Sequence, residues 1–149
     1  RLADGLSFED ALSEAQQKGF AEADPSKDLD GRDALSKIAI LARTGWTRPI
    51  DVDAIPRQGI EDIQGSDGTR FRLVARCRQR SDGTLDAEIA PEPVGDGHPF
   101  DGLQGEENCV LVRSLQGRVH RFFGKGAGRW PTAESVFADL FDIAQGGTL

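Results

Sequence analysis

Arg70-Phe71-Arg72-Leu73-Val74-Ala75-Arg76-Cys77-Arg78, then Gln79-Arg80-Ser81-Asp82-Gly83-Thr84, then Leu85-Asp86-Ala87-Glu88-Ile89-Ala90: this stretch decides the fold. Its first nine residues alternate, with Phe71, Leu73, Ala75 and Cys77 on one face and four arginines on the other. A period of two is that of a strand whose two faces meet different surroundings. Ser81-Asp82-Gly83 supplies a tight turn, and residues 85–90 return as the partner strand. Pro91, Pro93, Gly95 and Gly97 then predict a loop leading to His98-Pro99. A second hairpin is predicted from residues 109–115 and 119–123 around Gln116-Gly117.

Helical signals flank these hairpins. Ser7 followed by Asp10 reads as a capping box, and Phe8, Ala11, Leu12 and Ala15 form an apolar stripe that Gly19 closes. At the other end Val136, Phe137, Leu140, Phe141 and Ala144 recur at helical spacing. Residues 44–67 read as irregular, with short extended pieces around Ile50, Val52, Ile55, Ile60 and Ile63. The predicted class is α+β: a mostly antiparallel or mixed sheet, helices packed on one face, and a C-terminal helix. Residues 1–149 are expected to form a single domain.

Composition narrows the function. The 149 residues, 29% charged and 38% hydrophobic, suit a folded domain with a modest core. A net charge of −7 without a basic cluster argues against nucleic acid. No apolar run approaches a membrane span. Cys77 and Cys109 are too few for a disulfide framework, which favours a reducing, cytoplasmic setting and packing roles for both. The chain has no Met, and Arg1-Leu2-Ala3-Asp4-Gly5 reads as the end of an earlier helix. A fragment of a longer protein is therefore expected.

The chemistry concentrates in Gly19-Phe20-Ala21-Glu22-Ala23-Asp24-Pro25-Ser26-Lys27-Asp28-Leu29-Asp30-Gly31-Arg32-Asp33-Ala34-Leu35-Ser36-Lys37-Ile38-Ala39-Ile40-Leu41. A carboxylate-rich loop leads into a helix on which Asp33 and Lys37 share a face, four residues apart. Ala34, Ile38 and Leu41 form the predicted buried stripe beside them. A lysine just above a core stripe, facing acids from its own turn and the preceding loop, can bind and move protons. The same residues also read as a solvated turn with a surface ion pair worth a few tenths of a kcal/mol. Calcium does not fit, because an EF-hand register on Gly31 puts Lys37 where a bidentate Glu belongs. No metal site is expected.

Two other features are weaker. Gly124, Gly126 and Gly128 lead into Pro131-Thr132, which reads either as an anion-binding helix entry or as a tight turn with Thr132 as N-cap. It is neither a Walker loop nor GxGxxG. His98 and His120 have no Cys or His neighbour at metal spacing and read as structural or surface residues.

Leu6-Ser7-Phe8-Glu9-Asp10-Ala11-Leu12, Gly19 through Pro25, Asp28 through Asp33 and Lys37 through Leu41 together resemble homoserine dehydrogenase. The resemblance resumes at His98-Pro99, residues 108–112 and 126–133, and reaches Asp139-Leu140. It implies the substrate-binding and dimerisation domain of an enzyme moving hydride between a nicotinamide and aspartate semialdehyde or homoserine. By that resemblance Lys37 sits at the reacting oxygen with Asp33 beside it, while Glu22 and Asp28 hold the substrate ammonium. Gly126, Ala127, Gly128 and Thr132 would approach the cofactor.

The family's Rossmann half is missing: no strand–GxGxxG–helix occurs here, nor a Gly-Thr-Thr-Asn-type loop. Residues 63–71 are shorter than the family pattern. NAD(P) is therefore expected to be held by a separate domain or chain, not by this chain alone. A homodimer and a small amino-acid-like substrate are the expected partners. The alternative is a stand-alone domain repurposed for cofactor-independent acid/base chemistry, as a cyclase, lyase or isomerase on a cationic substrate.

Overall fold

The computed structural model describes residues 4–61, 63, 68–105, 107–125 and 129–145, with the main chain alone at 129–132, 139 and 142. Helix α1 (Phe8–Gln17) starts where the Ser7 hydroxyl accepts the Asp10 N–H at 3.1 Å and donates to the Asp10 carboxylate at 2.7 Å. It ends at Lys18, with Gly19 just beyond in the left-handed region at φ 73°. Both ends follow the sequence signals. The helix proposed to precede Gly5 rests on residues 1–3, which lie outside the described residues.

The acidic stretch is more ordered than a loop. Ser26–Leu29 form a short helix, α2, and α3 spans Arg32–Trp46. Gly31, between them, adopts φ 80°. Helix α3 runs past the expected boundary near Thr44, through Gly45, and stops at Thr47 in a left-handed conformation whose N–H reaches the Arg43 carbonyl at 2.9 Å. Its buried stripe also departs from expectation. Ile38 and Ala42 are buried, whereas Leu41 is 43% exposed. One position along a helix is about 100°, so Ala42, stacked four residues after Ile38, takes the inward place.

Strand β1 (Arg70–Gln79) pairs antiparallel with β2 (Leu85–Val94), and β3 (Glu107–Arg113) pairs with β4 (Val119–Lys125). Each pair is a separate two-stranded sheet. Strand β2 continues through Pro91 and Pro93, which the sequence assigned to a loop. The main chain of Ile89 explains why. Its N–H donates to the Pro56 carbonyl at 3.0 Å, and its carbonyl accepts the Gln58 N–H at 2.9 Å, so both groups point away from β1. Residues two and four positions on share that orientation, so β1 loses no bond where proline lacks an N–H.

The alternation of β1 is real, and both of its faces are covered: Ala75, on the apolar face, lies opposite the fully buried Ile89 of β2. Val74, on the arginine face, is the most buried residue of the strand, while Phe71 on the other face is 37% exposed. The arginines themselves are the cause. Arg70 pairs with Asp101 at 2.7 Å and Arg72 donates to the Leu103 carbonyl, which folds residues 95–105 over that face. Val74 and Val94 are buried beneath it. Helix α3 packs on β1 and, with Ile38, Ala42 and Ile89, completes the core among the described residues.

Helix α4 spans Arg129–Ala144. Thr132 lies within its first turn and not at its N-cap. Pro131 can precede it there because the first-turn N–H groups have no intrahelical partner to lose.

Candidate functional site

Five acids of the acidic stretch divide into two jobs. Asp24 accepts the Ser26 N–H at 3.2 Å, and the hydrogen bonds from Ser26 hold its carboxyl below the usual aspartate range. Asp30 accepts the Arg32 N–H at 2.9 Å and pairs with the Arg32 guanidinium at 2.9 Å. Both therefore cap backbone at helix starts. Glu22, Asp28 and Asp33 instead line one wide groove, together with Lys37.

Different segments deliver these four side chains. Glu22 follows α1, and its carbonyl accepts the Gln16 side-chain amide at 3.0 Å. Asp28 sits on α2, while Asp33 and Lys37 project from the first two turns of α3. Lys37 Nζ lies 2.7 Å from Asp33 Oδ2, with the two side chains 60% and 46% exposed. An exposed i,i+4 pair adds only a few tenths of a kcal/mol, so its consequence is orientation of the ammonium rather than stability. Asp28 is raised above the usual aspartate value, first by desolvation and then by the like charges of Asp33 and Glu22, with Lys37 opposing. Three carboxylates against one ammonium leave the site negative, a setting that attracts a cation.

Phe20, Phe71, Phe100 and Leu103 form apolar wall beside the charged set, and Val136, Phe137 and Leu140 of α4 line the groove as well. Its volume of about 1790 Å³ exceeds the roughly 300–1,000 Å³ of a typical small-molecule site. Arg72, half-buried, also lines it. Sequence reading missed Arg72, because a strand arginine in an alternating run looks like a solvent residue. Gln16 and Gly59 were missed for the same reason: nothing local marks a residue whose partner is distant in the chain.

Gly126, Ala127 and Gly128 lie outside the described residues, and Thr132 is placed by its main chain only. His98 is a partnered structural residue. Its Nδ1 accepts the Phe100 N–H at 3.2 Å, which leaves the proton on Nε2 to reach Glu92 Oε2 at 3.3 Å. Burial, and then Asp86, push the Cys77 thiol up, away from nucleophilic use. Among the described residues no group of three or more His, Cys, Asp or Glu could hold a metal. No helix among them is long and apolar enough to cross a membrane.

The family model described as homoserine dehydrogenase matches residues 1–141. The chain belongs to the homoserine dehydrogenase family. The Bacillus subtilis homoserine dehydrogenase is 37% identical over 143 residues, covering 91% of this chain and 33% of that protein. The NAD(+)-dependent homoserine dehydrogenase of Pseudomonas canavaninivorans is 34% identical, covering 97% of this chain and 43% of that one. The crystal structure of S. aureus homoserine dehydrogenase superposes with a TM-score of 0.81 at 30% identity, over 95% of this chain and 38% of that chain. The chain thus spans between a third and a little over two-fifths of these homoserine dehydrogenases. Its described strands are two antiparallel hairpins without a parallel βαβ crossover, so these residues do not by themselves fit a dinucleotide.

Proposed function

We propose that this chain is the substrate-binding and proton-transfer portion of a homoserine dehydrogenase, acting on homoserine or aspartate semialdehyde. One observation carries the reading: Glu22, Asp28, Asp33 and Lys37, from three separate segments, line the same groove. Glu22 and Asp28 take the substrate ammonium by charge-assisted hydrogen bonds. Lys37, oriented by Asp33, meets the substrate oxygen. It donates a proton where alkoxide charge develops during carbonyl reduction and recovers it in the reverse direction. In the family a nicotinamide supplies or receives the hydride, and its holder would lie outside the described residues.

The size of the groove supports the same reading, since a small amino acid would fill only the acidic end. The remaining apolar wall, with α4, would receive the cofactor-bearing part of the protein. Gly126, Ala127, Gly128 and Thr132 stand at the entry to that helix and are proposed to approach the cofactor. The exposed hairpin β3–β4 is proposed to be covered in a homodimer. The cofactor-free alternative has no observation in its favour.

Lys37→Ala in the complete enzyme tests this directly. Turnover is expected to fall by about 10²- to 10⁴-fold, the usual contribution of a positioned acid or base. The thermal midpoint should hold, because the Lys37–Asp33 pair is exposed. Unchanged turnover would refute the proton-transfer role.

A further inference from the structure

Residues 56–60 form a strap between the buried strand β2 and the acid-bearing turn. On one side Pro56 and Gln58 hydrogen-bond the main chain of Ile89, the most deeply buried large side chain. On the other side the Ile60 N–H donates to the Leu29 carbonyl at 2.8 Å. Between them Gly59 lies so close to α2 that a β-carbon there would meet the Leu29 carbonyl oxygen at 2.4 Å and Asp30 Cα at 2.9 Å. Those are backbone atoms, so no side-chain rotation relieves the clash. The aliphatic part of Arg57 closes on Gly31 from the same strap, 3.3 Å from where a β-carbon would stand. Gly31 separates Asp28 and Asp30 from α3, which carries Asp33 and Lys37.

We propose that Gly59, with the Ile60 N–H, is a positioning element that sets Asp28 against Asp33 and Lys37 by seating α2 directly on the strap. The inference rests on the reading of Asp28 as a binder of the substrate ammonium. Gly59 needs no left-handed backbone; what it supplies is distance. A side chain at 59 lifts Leu29 and Asp30, and Asp28 precedes them on the same short turn. A misplacement of about 1 Å at a charged site can cost as much as 10²-fold.

The test compares the native chain with Gly59→Ala by homoserine titration calorimetry and by ¹³C NMR of the Asp28 carboxyl. In the variant, homoserine affinity is expected to fall by about tenfold or more. The Asp28 midpoint should move down toward the ordinary aspartate value as the displaced carboxyl gains solvent and separates from Asp33 and Glu22. A stability defect alone would leave that midpoint in place in the folded fraction. Equal affinity and an unmoved midpoint in a folded variant overturn the proposal. Failure of homoserine to bind the native chain overturns the functional reading instead.

If Gly59→Ala does not fold, amide exchange on the native chain decides. Saturating homoserine is expected to slow exchange at Ile60 and Gln58 by several-fold, because ligand, turn and strap move as one. Unchanged exchange at both, in the presence of bound homoserine, overturns the strap's role.

Discussion

The two hairpins of this chain are built alike and end up differently. Strand β2 has α3 close by through β1, the strap on its free edge, and residues 95–105 folded over the arginine face. Among the described residues, every hydrophobic residue buried in the core, from Ile38 to Val94, belongs to this half. Strands β3 and β4 pair just as regularly, yet Phe122 is 59% and Phe123 67% exposed. On α4, Phe137 is 71% and Leu140 60% exposed. This exposed apolar surface is what the proposed dimer and the proposed cofactor-bearing part of the protein would cover. The lesson is that hydrogen bonding makes a hairpin, but only coverage of its faces makes it a core.

Substitutions on the two sides should separate these halves. Ile89→Ala removes a fully buried side chain and is expected to destabilise the chain by about 2–5 kcal/mol in denaturant unfolding. A cost below 1 kcal/mol would mean that the first half is not the folding core. Phe122→Ser, by contrast, should alter unfolding of the dilute monomer by about 0.5 kcal/mol or less. It should weaken self-association in sedimentation, and an unaltered association constant would remove β3–β4 from the proposed dimer interface.

Asp28 gives the sharpest test of what the packed half does for the site. Its carboxyl titrates above the ordinary aspartate value, so its ionisation opposes folding at pH above that midpoint. This cost fades as pH falls through the midpoint and the group takes up its proton. Homoserine binding has the opposite requirement, because the ammonium needs the ionised acid. Asp28→Asn is therefore expected to stabilise the chain slightly at pH 7 while weakening homoserine. Native affinity should decline with acidification at a higher pH than an ordinary aspartate would impose. A variant that is both less stable and unimpaired in binding would contradict this account.

The smallest effect belongs to the exposed turn of the first hairpin. Arg78 and Arg80 hydrogen-bond Asp86 and hold its carboxyl below the usual range. The stability this contributes is present above the unfolded aspartate value and is lost as pH falls through the lowered folded one. Asp86→Asn should flatten that acid limb in thermal unfolding and change little at pH 7.

Local rules made much of this legible. Ser7 with Asp10, Gly19, the Ser81-Asp82-Gly83 turn and the Asp33–Lys37 spacing are short-range patterns, and each appears in the structure. The misreadings are long-range. Leu41 and Ala42 exchanged places because the inward side of α3 depends on where β1 lies. Pro91 and Pro93 remained in a strand because their missing N–H groups face away from β1, on the edge where the strap bonds Ile89 from more than thirty residues earlier. Asp24 and Asp30 share the acidic stretch with the site, and only their hydrogen bonds to the turn show them to be caps.

By itself the sequence determined the elements, the antiparallel hairpins, the charge of the site and the family, since each is written in spacing and residue type. The tertiary structure alone decided which carboxylates share a groove, that the arginine face of β1 is covered as well as the apolar one, and where a β-carbon cannot go. Those outcomes depend on contacts between segments distant in the chain, where packing and excluded volume act and no local pattern records them.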